Sequence, residues 1–153
     1  VESVMRRSEM VLAPRANVDI EKKLLQLDLT KNGEGRQVPL NAKARAVIEA
    51  QPKRDDGRLF GVLPNSVTQA FIRAVRRARE LYERDCAEKG IEPKSGYLQN
   101  LRLHDMRHEG TTRVVRKFKN PLEAMAITGH KDYRSIKGYY HPDATDLADR
   151  MDD

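Results

Sequence analysis

Leu103-His104-Asp105-Met106-Arg107-His108, then Thr128-Gly129-His130, then Gly138-Tyr139-Tyr140-His141-Pro142 form the most informative stretch of this 153-residue chain. His104 and Arg107 are three residues apart, so on a helix they share one face. Gly129 closes an apolar run, Met125-Ala126-Ile127-Thr128, and lets the backbone turn sharply before His130. Two tyrosines follow His130 by nine and ten residues. The pattern predicts short helices at about 104–116, 121–128 and 133–139, with an acidic segment after Pro142 anchored by Leu147 and Met151.

Upstream, Val67, Phe71, Ala74, Ala78 and Leu81 repeat at helical spacing. They predict a long helix capped by Asn65 or Ser66 and ended by Gly90. Arg73, Arg76, Arg77 and Arg79 crowd its other positions. Asn41 caps a helix reaching about Ala50. Residues 17–40 read as strands: Leu24, Leu25, Leu27 and Leu29, then the turn Thr30-Lys31-Asn32-Gly33-Glu34-Gly35, then the return Arg36-Gln37-Val38-Pro39-Leu40. Val1 to Leu12 reads as a helix tail that stops before Pro14. The class is α+β, mostly helical, with a small antiparallel sheet near the N-terminus. One domain over residues 1–153 is expected.

The balance of 29 Lys+Arg against 23 Asp+Glu gives a formal charge of +6, which favours phosphate-rich partners. Cys86 is the single cysteine, so no disulfide within the chain is possible. No run approaches the roughly 18 apolar residues of a membrane span. A cytoplasmic protein is expected. The chain opens Val1-Glu2-Ser3-Val4 without an initiator methionine and reads as a fragment of a longer protein.

Several side chains suit phosphate chemistry. Arginine offers a permanently charged planar fork that matches phosphate oxygens. Histidine moves protons near neutral pH. Tyr139 and Tyr140 are candidate nucleophiles, and a phenol needs help to attack at neutral pH. Neighbouring cations are expected to favour the phenolate. Lys31, in its turn, is a mobile proton donor. Glu9 stands three residues after Arg6 and can orient its guanidinium. Arg73, Arg76, Arg77 and Arg79, with Arg116, Lys117 and Lys119, are candidates to neutralise the phosphates of such a partner.

Taken in order, Arg6-x-x-Glu9, Lys31 ahead of Val38-Pro39-Leu40, His104-x-x-Arg107, Gly129-His130 and Tyr139 resemble the catalytic domain of tyrosine recombinases, the phage-type integrases. The resemblance runs from Met5 to the helix after the tyrosine. It implies catalytic roles for Arg6, Lys31, His104, Arg107, His130 and Tyr139, with Glu9 in support. Tyr139 is preferred to Tyr140 because it stands two before His141, as in the family's Tyr-x-His. Val4 replaces the family's usual glycine, and Thr128 its usual leucine before Gly129.

The function so implied is site-specific DNA recombination through a 3′-phosphotyrosyl intermediate, with no cofactor and no metal. The expected partners are double-stranded DNA and further copies of the parent protein, assembled as a tetramer on paired sites; the fragment alone is expected to be monomeric. An N-terminal DNA-clamping domain belongs to the expected parent. Two alternatives stay open, a type IB topoisomerase and a DNA-binding module without catalysis. A metal hydrolase using His104 and His108 is disfavoured, since no acidic or cysteine ligand set accompanies them.

Overall fold

The computed structural model describes residues 2–28, 35–141, 143–149 and 151–152. Elements run α1 (Arg7–Val11), β1 (Val18–Asp19), β2 (Leu24–Leu27), β3 (Arg36–Pro39), α2 (Ala42–Glu49), α3 (Pro64–Glu88), α4 (Leu103–Lys117), α5 (Pro121–Thr128), α6 (Tyr133–Lys137) and α7 (Ala144–Asp149). The three strands form one antiparallel sheet in sequence order. Leu25 pairs with Val18 on one side and with Val38 on the other. The α+β class read from the sequence is the class observed.

Alternation along the strands sets the inward face. Leu25 and Leu27 in β2, and Val38 in β3, are buried. They pack with Ala13, Leu40, Ile48 and Leu59 into one core beneath the sheet. Arg36 shares parity with Val38, so a charged side chain also points inward at the end of β3. A second core joins Val115 of α4, Ala124 of α5 and Ile136 of α6, with Tyr139 and Tyr140 against it. Caps separate the helices locally: the side chains of Asn41, Asn120 and Asp132 accept from Ala44, Leu122 and Arg134 backbone amides at 2.8–2.9 Å.

Two boundaries and one loop differ from the sequence reading. The first helix covers only Arg7–Val11, because Val4 takes a left-handed conformation at φ 51°. A β-branched residue there costs on the order of 1–2 kcal/mol. Burial of its side chain offsets part of that cost. α3 starts at Pro64 rather than after Asn65 or Ser66; proline at the first helical position is preset for the helix and has no amide to cap. Finally, the loop after α3 docks back on it. Arg79 donates to the Lys94 and Tyr97 carbonyls at 3.1 and 2.6 Å, and Tyr82 meets Tyr97 edge to face at 4.6 Å. Arg79 therefore anchors the loop that follows α3.

Candidate active site

The site is organised around the C-terminal end of α5. A helix leaves its last carbonyls without intrahelical partners and carries partial negative charge there. Arg107 of α4 donates through Nη2 to the Thr128 carbonyl at 2.7 Å, and through Nη1 to the carbonyl of Val4. Arg36 donates to the Ile127 carbonyl at 3.2 Å. One helix end thus draws two guanidiniums from distant segments. The left-handed turn at Val4 aims its carbonyl at Arg107.

Gly129 ends α5 at φ 72°. A Cβ at this position would lie 2.6 Å from Arg36 Nε, so both the backbone angle and the closeness of Arg36 require glycine.

Glu9 ties the arginines together. Its carboxylate accepts from the Arg6 amide at 2.9 Å, the Arg6 guanidinium at 2.7 Å and Arg36 Nη2 at 3.0 Å. Burial pushes the carboxyl upward, but the Arg6 hydrogen bonds and the Arg36 charge outweigh it and hold the group below its ordinary value. A lowered carboxyl contributes stability that is present above the unfolded value of about 4.3 and is lost as pH falls through the folded value. Glu9→Gln is therefore expected to lower the urea midpoint at pH 7 and to make its decline below about pH 4.3 shallower than in the parent. Parallel acid-limb curves for the two proteins would remove Glu9 from this role.

His130 follows directly and is half-buried. The Thr128 hydroxyl donates to the Ala124 carbonyl at 2.7 Å and lies 2.7 Å from His130 Nδ1. With its one proton given to Ala124, the hydroxyl accepts from Nδ1–H, and Nε2 is left for a ligand or a proton. Burial lowers the His130 pKa, and the charges of Arg107, Arg6, Arg36 and His108 lower it further. Burial likewise lowers that of Arg107, with Arg6 and Arg36 adding to the shift while Glu9 and Tyr139 oppose it. These mutual couplings place Arg6, Arg36, Arg107 and His130 in one electrostatic neighbourhood. Three guanidiniums face one carboxylate, a surplus suited to a phosphate that gains negative charge as it is attacked.

Tyr139 joins this neighbourhood, its ring 6.3 Å from that of His130. Burial raises its phenol above the ordinary value while Arg107 pulls the other way. The expectation that nearby cations leave the phenol lowered is thus corrected: desolvation outweighs them. Its hydroxyl is hydrogen-bonded to His108 Nδ1. His104 touches the phenol through no described contact; it stands edge to face against His108 at 4.6 Å. The Tyr140 hydroxyl donates to the Lys119 carbonyl, away from the cage.

Sequence reasoning missed two residues, Arg36 and His108. A charged residue at an inward strand position is the signal for Arg36. For His108, the step of one turn from His104 gave a signal, but it was read as a metal-ligand spacing. Lys31 lies outside the described residues. Among the described residues no group of three or more His, Cys, Asp or Glu side chains is placed to hold a metal ion.

Arg6, His104 and Arg107 also line a groove of about 660 Å³ that reaches Thr68 and Ile72 of α3. Arg73, Arg76 and Arg77 are exposed farther along that helix, and Arg116, Lys117 and Lys119 are exposed at the far end of α4. Arg76 pairs at 3.7 Å with Glu80, an exposed contact worth little. Among the described residues no helix is long and apolar enough to cross a membrane.

Comparison with known proteins places the chain. The sequence model of the phage integrase family matches residues 1–146, and the chain belongs to that family. Among its relatives, a shufflon-specific DNA recombinase of Escherichia coli is 28% identical over 99% of this chain and 35% of its own length. A putative integrase/recombinase of Haemophilus influenzae is 30% identical over 99% of this chain and 45% of its own. The chain thus spans less than half the length of these relatives. In fold it is similar to the Tn1549 transposon integrase, solved in complex with a circular-intermediate DNA. That match has a TM-score of 0.68 and 21% identity, covering 99% of this chain and 55% of the other.

Proposed function

We propose that this chain is the catalytic part of a site-specific DNA recombinase, cutting and rejoining double-stranded DNA through a covalent 3′-phosphotyrosyl link. The observation that carries this reading is the convergence of Arg107, Arg6 and His130, from three separate segments, beside the phenol of Tyr139. In this mechanism the Tyr139 oxygen attacks the scissile phosphorus and the bond to the 5′ oxygen breaks. Arg6 and Arg107 stabilise the charge on the non-bridging oxygens, and His130 joins them at the phosphate. Lys31 protonates the leaving 5′ oxygen. His104, exposed beside Arg107, holds the phosphate. A second DNA end reverses the chemistry, so the bond energy is kept and no nucleotide is spent.

Relatives named as DNA recombinases, and a transposon integrase solved on DNA, support this substrate. The reaction takes place in the cytoplasm. Recombination uses several copies of the parent protein on paired sites, a tetramer in the full synapse.

The test is a covalent adduct. The probe is a pool of duplexes, random in sequence, with a nick close to a fixed position so that a short 5′-hydroxyl fragment diffuses away. A denaturant-resistant protein–DNA product, resistant also to chelator, is expected; its absence across the pool overturns the reading. Binding carries a second expectation. If the six basic residues Arg73, Arg76, Arg77, Arg116, Lys117 and Lys119 meet phosphates, affinity falls about 10³-fold between 50 and 200 mM salt. Arg73→Gln with Arg77→Gln reduces the salt slope by about two. An unchanged slope removes that face of α3 from the interface.

A further inference from the structure

We propose that His108 is a catalytic residue, the group that takes the phenolic proton of Tyr139 as its oxygen bonds to phosphorus. This rests on the recombinase reading above and deepens it. Three contacts carry it. The Tyr139 hydroxyl is hydrogen-bonded to His108 Nδ1. The two rings are stacked, with centroids 5.7 Å apart and planes 25° apart. His104 packs edge to face on the His108 ring, 87° between planes, and so helps hold that imidazole in place.

The other histidines are less well placed. His104 meets His108 and not the hydroxyl. His130 has its Nδ1 engaged by Thr128 at 2.7 Å and makes no described hydrogen bond to the Tyr139 hydroxyl. His108 also follows Arg107 directly in α4, so the residue that grips phosphate and the residue that receives the proton move as one rigid unit.

The balance is simple. The Tyr139 Oη–P bond forms and the P–O5′ bond breaks. The phenolic proton passes to Nδ1 of His108, a step that uses the tautomer with the ring's own proton on Nε2. The leaving 5′ oxygen takes a different proton, from Lys31 in this reading. On rejoining, a 5′-hydroxyl attacks and His108 returns its proton to the departing phenolate. Burial keeps the phenol protonated at neutral pH, so the attack has need of such an acceptor.

The test compares His108→Ala and His108→Asn with the parent in single-turnover cleavage of the nicked random-sequence duplex pool. Asparagine still accepts a hydrogen bond near the Nδ1 position but takes no proton. Both variants are expected to lose about 10²–10⁴-fold in the rate of adduct formation. Their unfolding midpoints and duplex binding are expected to match the parent, since the residue is exposed. Added imidazole restores part of the rate in His108→Ala.

A second pool with sulfur in place of the bridging 5′ oxygen needs no proton on its leaving group. It is expected to rescue Lys31→Ala and not either His108 variant. Full activity in His108→Asn, or rescue of the His108 variants by sulfur, overturns the proposal and leaves the recombinase reading standing. Failure of the parent protein to form an adduct on either pool overturns the recombinase reading itself.

Discussion

Tyr139→Phe is expected to abolish the covalent adduct, while Tyr140→Phe leaves its rate unchanged. The contrast follows from where the two hydroxyls go. Tyr139 directs its oxygen to His108 beside the cationic cage; Tyr140 donates to the Lys119 carbonyl on the other side of the same core. Both rings pack against Val115, Ala124 and Ile136, and phenylalanine keeps that packing. The Tyr139 variant therefore folds and binds DNA but lacks the attacking atom, and adduct formation drops to background. Tyr140→Phe loses one hydrogen bond, worth about 1 kcal/mol of stability, and no chemistry. Peptide mapping of the parent adduct identifies the linked tyrosine directly. An adduct that survives in Tyr139→Phe and vanishes in Tyr140→Phe exchanges the two roles.

Arg107→Gln is expected to have the next largest effect, and it acts twice. In the proposed mechanism the guanidinium gives the transition state a charged donor, and loss of one such donor costs on the order of 10²–10³-fold in rate. It also bridges the Val4 and Thr128 carbonyls, which lie on segments more than a hundred residues apart. Hydrogen bonds from a charged group contribute about 1.5–3 kcal/mol each, so the variant also unfolds at clearly lower urea. Arg107→Lys separates the two effects. Lysine retains charge but lacks the planar fork that reaches two carbonyls and a phosphate together. It is expected to keep most DNA affinity while still losing cleavage. A lysine variant with parental cleavage would assign Arg107 a purely electrostatic part.

The sequence made legible whatever rests on local rules. Helix period and capping residues located α2, α4, α5 and α6. Alternation and turn chemistry gave the β2–β3 pair. The glycine before His130 announced a left-handed helix end, and one is there. Less legible was whatever depends on a partner far along the chain. Arg36 was read only as part of a strand phrase, because its role comes from Glu9 and from the Ile127 carbonyl 91 residues away. His104 was favoured over His108 because it stands in the His-x-x-Arg pattern with Arg107; which of them meets the phenol is decided by how α6 docks on α4. The direction of the Tyr139 shift was misjudged for a related reason. The count of nearby cations can be read from a sequence, but the depth at which a ring is buried cannot.

The bridges made by Arg107 and Arg36 have a further consequence. No single helix or hairpin of this chain contains two of the anchors that Arg107 spans. A nascent or partly unfolded chain holds the Tyr139 phenol apart from the guanidiniums of Arg6, Arg36 and Arg107. The arrangement proposed to act on DNA therefore exists only in the finished tertiary structure.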